Sequence, residues 1–291
     1  MHLDGLSYRK IEKQTGVSKS RVQRICLNEL RKLPDNNKFT FNYYNRFSQV
    51  FEFDAKYVKI VGHKRKLAFL WGVDYERHDF PIIILSKTES YQSWAKFFQL
   101  FRIINNYPKS IVCDNNSPLK IAARVKFPSV KIQTCYNHFS ESIRRDLRIR
   151  SDNKYRRFSN QIDQLLSIKR ATEDFNKFLY KMFEIYKNDP ITLQILLTIE
   201  KRKSEFLSFQ GIPGAPTTTN MIESFNSHLE DRLKPLHHFH SFEHAKLWLN
   251  GYVLKRRFTS FTSCKGKFKC LNGKYPLELI QKVNVNIPIL F

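Results

Sequence analysis

Residues 50–60, VFEFDAKYVKI, are the stretch from which the fold prediction starts. Apolar side chains stand at every second position from Phe51 to Tyr57, with Glu, Asp and Lys between them, and this two-residue period is that of a β-strand. Two apolar runs follow, LAFLWGV at 67–73 and PIIIL at 81–85, after a Gly-His pair that fits a turn. The three segments predict an antiparallel meander.

Helices and strands alternate after the meander. The predicted elements are a helix at 90–104, a short buried strand (SIVC) at 110–113, a helix at 118–127, a strand at 130–135 and a helix from His138 onwards. This order predicts an α/β protein with an RNase H-like mixed sheet, flanked by helices on both faces. The helical and strongly basic pattern over about 140–212 predicts an all-helical insertion before the last core helix.

The N-terminal pattern GLSYRKIEKQTGVSKSRVQRI predicts a helix-turn-helix. Gly16 supplies the turn, Ser18 is the expected cap of the second helix, and Val22 and Ile25 are expected on its apolar face. Glu12 stands where such motifs prefer a small residue, and a short helical hairpin without any DNA contact would show a similar pattern. The face expected to contact DNA consists of Lys19, Ser20, Arg21, Gln23 and Arg24.

Three segments therefore make up the predicted domain organisation. Residues 1–33 form the helix-turn-helix, and residues 34–48, which contain Pro34 and an Asp-Asn-Asn cluster, form a linker. Residues 49–291 form the RNase H-like domain with its helical insertion.

The composition indicates a polyanionic partner. Of the 291 residues 42% are hydrophobic, which excludes a disordered polymer, and 50 Lys and Arg against 26 acidic residues give a formal charge of +24. Such an excess favours nucleic acid over a membrane surface, and no apolar run approaches the roughly 18 residues that span a bilayer. Five scattered cysteines and a charged N-terminus fit a reduced, cytoplasmic setting, associated with the nucleoid in a prokaryote, or the nucleus of a eukaryote. Further phosphate contacts are expected from Arg144, Arg145 and Arg148.

Three acidic residues stand at chemically informative positions. Asp54 lies in the first predicted strand, Asp114 closes the fourth, and Glu223 lies near the start of a late helix. The first and fourth strands of this fold are adjacent, so the carboxylates are expected to converge. Carboxylate oxygens bind Mg²⁺, and two such ions can activate a water or 3′-hydroxyl and stabilise the leaving oxygen of a phosphoryl displacement. The sequence thus predicts a site for two Mg²⁺ or Mn²⁺ ions.

The segment GAPTTTNMIESFNSHLEDRLKP, residues 214–235, resembles the catalytic-glutamate segment of Mutator-like insertion-sequence transposases. VFEFDAKYVKI and SIVCDNNSPLKIAARVKFP resemble the two aspartate segments of that family, and Cys135-Tyr136-Asn137-His138 stands where it has a Cys-x-x-His motif. The resemblance spans roughly residues 50–260. It implies a DDE transposase in which Asp54, Asp114 and Glu223 are the catalytic metal ligands and Cys135 and His138 support them.

The same resemblance implies the partners. A transposase of this type binds the terminal inverted repeats of its element and target DNA as a homodimer or larger synaptic complex, cleaves the DNA and joins the ends.

Two asparagines are further candidates for a supporting role. Asn220 is expected to cap the glutamate helix, and Asn226 lies on the polar face of that helix with Glu223. Glu223 acting only as the partner of that cap is the alternative.

Other interpretations stay open at this stage. Structural zinc bound by Cys135 and His138 with Cys264 and Cys270 is possible in principle but not favoured, because the spacing is loose for a zinc knuckle. A transposase-derived DNA-binding regulator without catalysis and a metal-dependent nuclease without strand transfer are the rival functions. Aromatic side chains expected to stack on DNA are Tyr155, Trp248 and Phe258.

Overall fold

The computed structural model describes residues 1–282 and 285–291. The chain divides into two compact units. The first comprises residues 1–108, 118–128 and 220–291, and the second comprises residues 109–117 and 129–219. Residues 1–33 therefore belong to the same compact unit as the first three strands.

Five strands form one mixed sheet in the order β3-β2-β1-β4-β5. The strands are β1 (Val50–Val58), β2 (Leu67–Asp74), β3 (Ile83–Ser86), β4 (Ser110–Cys113) and β5 (Lys131–Thr134). β1 pairs antiparallel with β2, and β2 with β3, whereas β4 and β5 are parallel. The meander and the mixed α/β sheet predicted from periodicity are thus confirmed.

Twelve α-helices are present in the described residues. They are α1 (Tyr8–Thr15), α2 (Lys19–Lys32), α3 (Asn36–Tyr43), α4 (Tyr91–Ile103), α5 (Ser117–Lys126), α6 (Tyr136–Asp146), α7 (Arg156–Ser167), α8 (Thr172–Tyr186), α9 (Pro190–Lys201), α10 (Lys203–Phe206), α11 (Asn220–Leu233) and α12 (Phe242–Arg257). No helix among these is long and apolar enough to cross a membrane.

One face of β1 packs against α4. The Phe53 ring lies edge-on to the rings of Phe97 and Phe98, with centroids 5.5 and 5.3 Å away. Phe53 pairs across the sheet with Gly72, and a Cβ on Gly72 would stand 2.0 Å from the Phe53 ring. Any larger residue at position 72 would collide with that ring, so the packing requires glycine there. The charged side chains of β1 consequently belong to the opposite face.

The opposite face is covered by α11 and α12. Ile222, Phe225 and Leu229 of α11 form one buried cluster with Trp71 of β2 and Trp248 of α12. These three side chains stand at positions i, i+3 and i+7 of α11, so they lie on one face of the helix. The packing fixes the direction in which the remaining, polar face of α11 points.

The N-terminal helices α1 and α2 share a small core of Tyr8, Ile11 and Val22, and Gly16 between them has φ +69°. The prediction that the Ser18 side chain caps α2 was wrong. Ser18 makes no side-chain capping bond, and Lys19 N–H instead donates to Glu12 Oε1 at 2.9 Å. Ile25, expected on the apolar face, is 47% exposed.

Residues 34–48, predicted as a linker, contain the helix α3. The Asp-Asn-Asn cluster was interpreted as a loop, but Asp35 Oδ1 accepts hydrogen bonds from the N–H groups of Asn37 and Lys38 and so caps the helix. The side chain of α3 residue Thr40 accepts a bond from the fully buried Arg257, which also pairs with Asp79 at 2.8 Å. α3 is therefore tied into the first unit.

The second unit is mainly helical, as expected for residues of about 140–212. α6 packs on α7, α7 on α8, α8 on α9, and α10 against β5. Its buried side chains include Phe158, Ile162, Leu165, Leu179 and Leu196.

Candidate active site

Asp54 lies in the middle of β1 and is half-buried. Its Oδ2 accepts a hydrogen bond of 2.6 Å from Asn226 Nδ2, and its Oδ1 accepts one of 2.7 Å from Ala55 N–H. Trp71 Nε1 donates to Asn226 Oδ1 at 3.1 Å. Because an indole N–H can only donate, it fixes which end of the Asn226 amide faces Asp54. The Asp54 carboxylate is thus oriented from both sides.

Glu223 lies in the first turn of α11 and is half-buried. The start of this helix is anchored by Glu52, whose Oε2 accepts a 2.9 Å hydrogen bond from Ile222 N–H. Glu52 is only 1% exposed. A buried carboxyl group at the N-terminus of a helix accepts hydrogen bonds from N–H groups that have no partner within the helix. Glu52 therefore fixes the position of the residue next to Glu223.

Burial raises the pKa of Glu52 to about 8, although hydrogen bonds from the Ile222 and Met221 N–H groups oppose the shift. The nearby Glu223 charge raises the pKa further. The sequence pattern by itself assigns no role to Glu52. The available signal was the alternation in β1, which places Glu52 and Asp54 on the same face of the strand.

Asp114 follows β4 in the second unit, and its Oδ1 lies 2.5 Å from His138 Nδ1. His138 is in the first turn of α6, next to Cys135, which occupies the capping position of that helix. The hydrogen bond to Asp114, with a second to Cys135, raises the pKa of His138 to about 11. At neutral pH the imidazole is therefore a cation that donates to the Asp114 carboxylate.

Cys135 is fully buried and accepts hydrogen bonds at its Sγ from Thr219 N–H at 3.4 Å and Thr219 Oγ1 at 3.2 Å. Thr219 Oγ1 also lies 3.2 Å from His138 Nδ1. The residue before α11 thus contacts both members of the Cys-x-x-His motif. This cluster holds the imidazole in place beside Asp114.

Asp114, Cys135 and His138 each offer a potential ligand atom, and these atoms lie within 4.8 Å of one another. A mixed oxygen, sulfur and nitrogen set suits zinc better than magnesium. His138 Nδ1 already bonds Asp114, however, and would have to release its proton before it could bind a metal. Cys264 and Cys270 belong to no such group among the described residues.

The residues expected to contact DNA are mostly accessible. On α2, Lys19, Ser20, Arg21 and Arg24 are exposed, and Gln23 is half-buried. On the basic segment of the second unit, Arg145 and Arg148 are exposed. Arg144 differs from these two because it pairs with Asp163 at 2.7 Å and with Glu141 at 3.2 Å. Its charge is therefore partly offset within the protein.

Trp248 was wrongly expected to stack on DNA. It is fully buried, and its Nε1 donates to the carbonyl oxygen of His2 at 3.1 Å. Phe258 is half-buried and stacks on Tyr275, with ring centroids 6.3 Å apart. An aromatic residue next to Lys and Arg in the sequence can therefore lie either on a basic surface or in the core beneath it, and the sequence pattern alone does not distinguish the two.

Asp74, the other acidic residue at a strand end, has a structural role. It is fully buried, its Oδ2 accepts from Ser48 N–H at 2.5 Å, and its Oδ1 accepts from Glu76 and Arg77 N–H at 2.9 and 3.0 Å. The carboxylate closes the turn after β2.

Comparison with known proteins gives a match over most of the chain. The family described as "Transposase, Mutator family" matches residues 1–255. No curated relative matches the sequence.

Proposed function

The chain belongs to the Mutator family of transposases, and we propose that it is a DDE-type enzyme that cleaves the DNA ends of its element and joins them to target DNA. In this proposal the catalytic carboxylates are Asp54, Asp114 and Glu223. Transposases in general require a divalent metal ion, and here the ions would be Mg²⁺ or Mn²⁺.

The hydrogen bond between Asp54 and Asn226 carries the proposal. Asn226 follows Glu223 by three residues on α11, so the two side chains lie on neighbouring parts of one helical surface. The 2.6 Å bond therefore ties Asp54 to the helix that bears Glu223. Asp114, the residue after β4, is included because its segment resembles the second aspartate segment of the family.

The donor set fits the proposed ions, because carboxylate oxygens are the preferred ligands of Mg²⁺ and Mn²⁺. When bound, such ions activate the attacking oxygen and stabilise the leaving oxygen of a phosphodiester. The task of the protein is to hold the carboxylates in position. Asn226 orients Asp54, Glu52 anchors the start of the Glu223 helix, and protonated His138 orients Asp114 and offsets part of its charge.

We propose that DNA is bound by the exposed face of α2 and by Arg145 and Arg148. α1 and α2 would act as a helix-turn-helix, in which the second helix contacts base edges and phosphates. The accessibility of Lys19, Arg21 and Arg24 supports this assignment. The bound molecules would be the element ends and target DNA, within a homodimer or larger synaptic complex.

Glu223→Gln tests the catalytic assignment, because it removes one negative charge while keeping the size of the side chain. Cleavage of element-end DNA with Mg²⁺ should fall by several orders of magnitude, and DNA affinity should stay unchanged or increase. Glu243→Gln is the matched control, since it makes the same change at an exposed position in the first turn of α12 and should cleave normally.

Equal cleavage by wild type and Glu223→Gln would exclude Glu223 as a ligand. A wild-type protein that binds its element ends tightly and never cleaves them would instead be a regulator.

A further inference from the structure

A pocket of about 240 Å³ lies in the first unit, between α11, α12 and the segment that precedes α1. Basic side chains dominate its wall. His228 and Arg232 come from α11, and Lys255 and Arg256 come from α12. The volume is that of roughly eight water molecules at about 30 Å³ each, enough for a phosphate group.

The positive charge of this pocket is only partly balanced. Asp4 is the acidic residue in the wall, and its carboxylate already bonds Lys255 Nζ at 2.7 Å and the amino group of Met1 at 3.1 Å. Neither Arg232 nor Arg256 has a carboxylate within 4.0 Å among the residues that the structure describes. The two guanidinium groups thus remain without a counter-charge.

Arg256 is the more unusual of the two. Its Nε is buried without a hydrogen-bond partner, and its guanidinium lies 5.2 Å from the Phe225 ring centroid and 5.4 Å from that of Phe261. Burial lowers the pKa of Arg256, although Tyr252 and Cys264 oppose the shift, and the Arg232 charge adds a smaller lowering. A buried cation beside a second cation is costly unless an anion binds nearby.

The pocket opens away from the proposed catalytic face of α11. Arg232 follows Glu223 by nine residues, which is about 14 Å along the helix and half a turn around it. Gly5, with φ +90°, packs directly on α11, because a Cβ at this position would stand 2.9 Å from Arg232 Cα. The pocket is therefore adjacent to the segment that leads into α1.

We propose that this pocket binds a phosphate group of the DNA duplex that the N-terminal helices engage, with Arg232 as the principal ligand. Arginine suits the role because its planar guanidinium forms paired hydrogen bonds with phosphate oxygens. The proposal rests on the proposed DNA-binding function. It adds a contact on α11 and α12 that is separate from the catalytic carboxylates.

The test compares binding of a duplex of about 25 base pairs by wild type, Arg232→Gln and Arg232→Lys over 50–200 mM KCl, without divalent metal. Each phosphate contact contributes about 0.9 to the slope of log affinity against log salt, so Arg232→Gln should lower the slope by about 1. Arg232→Lys should keep the wild-type slope. Arg102→Gln, an exposed substitution at the end of α4, is the control and should not change the slope.

Equal slopes for Arg232→Gln and wild type would overturn the proposal. A second arm replaces chloride with inorganic phosphate at equal ionic strength and follows thermal unfolding. If phosphate stabilises wild type but not Arg232→Gln while their duplex slopes agree, the pocket binds a small anion and the DNA assignment is wrong. If wild type itself does not bind duplex, the proposed function fails independently of this pocket.

Discussion

Asn226 Nδ2 donates to Asp54 Oδ2 at 2.6 Å, and this bond connects β1 directly to α11. Asn226 is 9% exposed, and its other amide atom accepts from the fully buried Trp71. A side chain held at both ends in this way has little freedom. The Asn226 amide therefore fixes the position of Asp54 relative to α11 together with the bond from Ile222 N–H to Glu52.

Replacing Asn226 with Ala removes both bonds and leaves the Trp71 N–H without a partner. The free energy of unfolding should fall by about 1–3 kcal/mol, and cleavage should fall by about 100-fold because Asp54 loses its orientation. Urea unfolding and a cleavage assay on the same preparation measure the two effects. Ser227→Ala, an exposed change on the same helix, should leave both unchanged. Normal cleavage by a folded Asn226→Ala protein would show that the bond has no catalytic role.

The Glu12 carboxylate should matter more for the N-terminal helices than the Ser18 hydroxyl. Glu12 accepts from the first N–H of α2, whereas Ser18 makes no capping bond. Glu12→Ala should cost about 0.5–2 kcal/mol of local stability, and Ser18→Ala much less. Hydrogen exchange of the α2 amides measures the difference. The reverse ranking would contradict this capping arrangement.

The buried pair of Arg257 and Asp79 should be far more sensitive than an exposed pair. Both side chains are fully buried, so Asp79→Asn leaves a cation in the interior with a weakened partner. We expect a loss of about 3–5 kcal/mol. Glu243→Gln breaks the exposed pair with Arg31 and should cost less than about 1 kcal/mol. Similar losses in denaturant unfolding of the two variants would contradict the structure.

His244 should make the protein less stable in acid. Burial, followed by the charges of His2 and His240, lowers its pKa from 6.5 to about 4. The unfolded chain therefore takes up a proton between these pH values while the folded protein does not, so stability is full above pH 6.5 and falls as the pH decreases.

The resulting loss is at most about 1.4 kcal/mol per pH unit, or about 2 kcal/mol between pH 6.5 and pH 5. His244→Gln should reduce the difference in unfolding free energy between pH 7 and pH 5 by up to that amount. His63→Gln, at an exposed position, should not. An unchanged pH dependence in His244→Gln would argue against a buried neutral imidazole.

Periodicity predicted much of the fold. Burial of apolar surface dominates folding, so a regular spacing of apolar residues marks the face of an element that lies against the core. This holds for the alternation around Phe51 in β1 and for the helical spacing of Ile222, Phe225 and Leu229 in α11. Family resemblance, rather than periodicity, suggested Cys135 and His138.

The features missed by sequence reasoning depend on polar contacts between distant residues. Glu52 looked like one more charged residue on a strand, although it bonds the α11 backbone 170 residues later. In the sequence, Glu12 is only a departure from the helix-turn-helix pattern, and its bond to Lys19 N–H forms across the turn between α1 and α2. The Asp-Asn-Asn cluster near Asp35 fits both a loop and a helix cap, and the buried contacts of α3 decide between them.

The central claim is that Asp54, Asp114 and Glu223 bind the same metal ions. Mn²⁺ binding, followed by electron paramagnetic resonance, tests it most directly. Asp54→Asn, Asp114→Asn and Glu223→Gln should each lower Mn²⁺ affinity by about tenfold or more, because every lost carboxylate removes a ligand charge. Asp146→Asn, an exposed change on α6, should bind Mn²⁺ as wild type does. If Asp114→Asn binds Mn²⁺ normally while Asp54→Asn does not, the three carboxylates do not share a site.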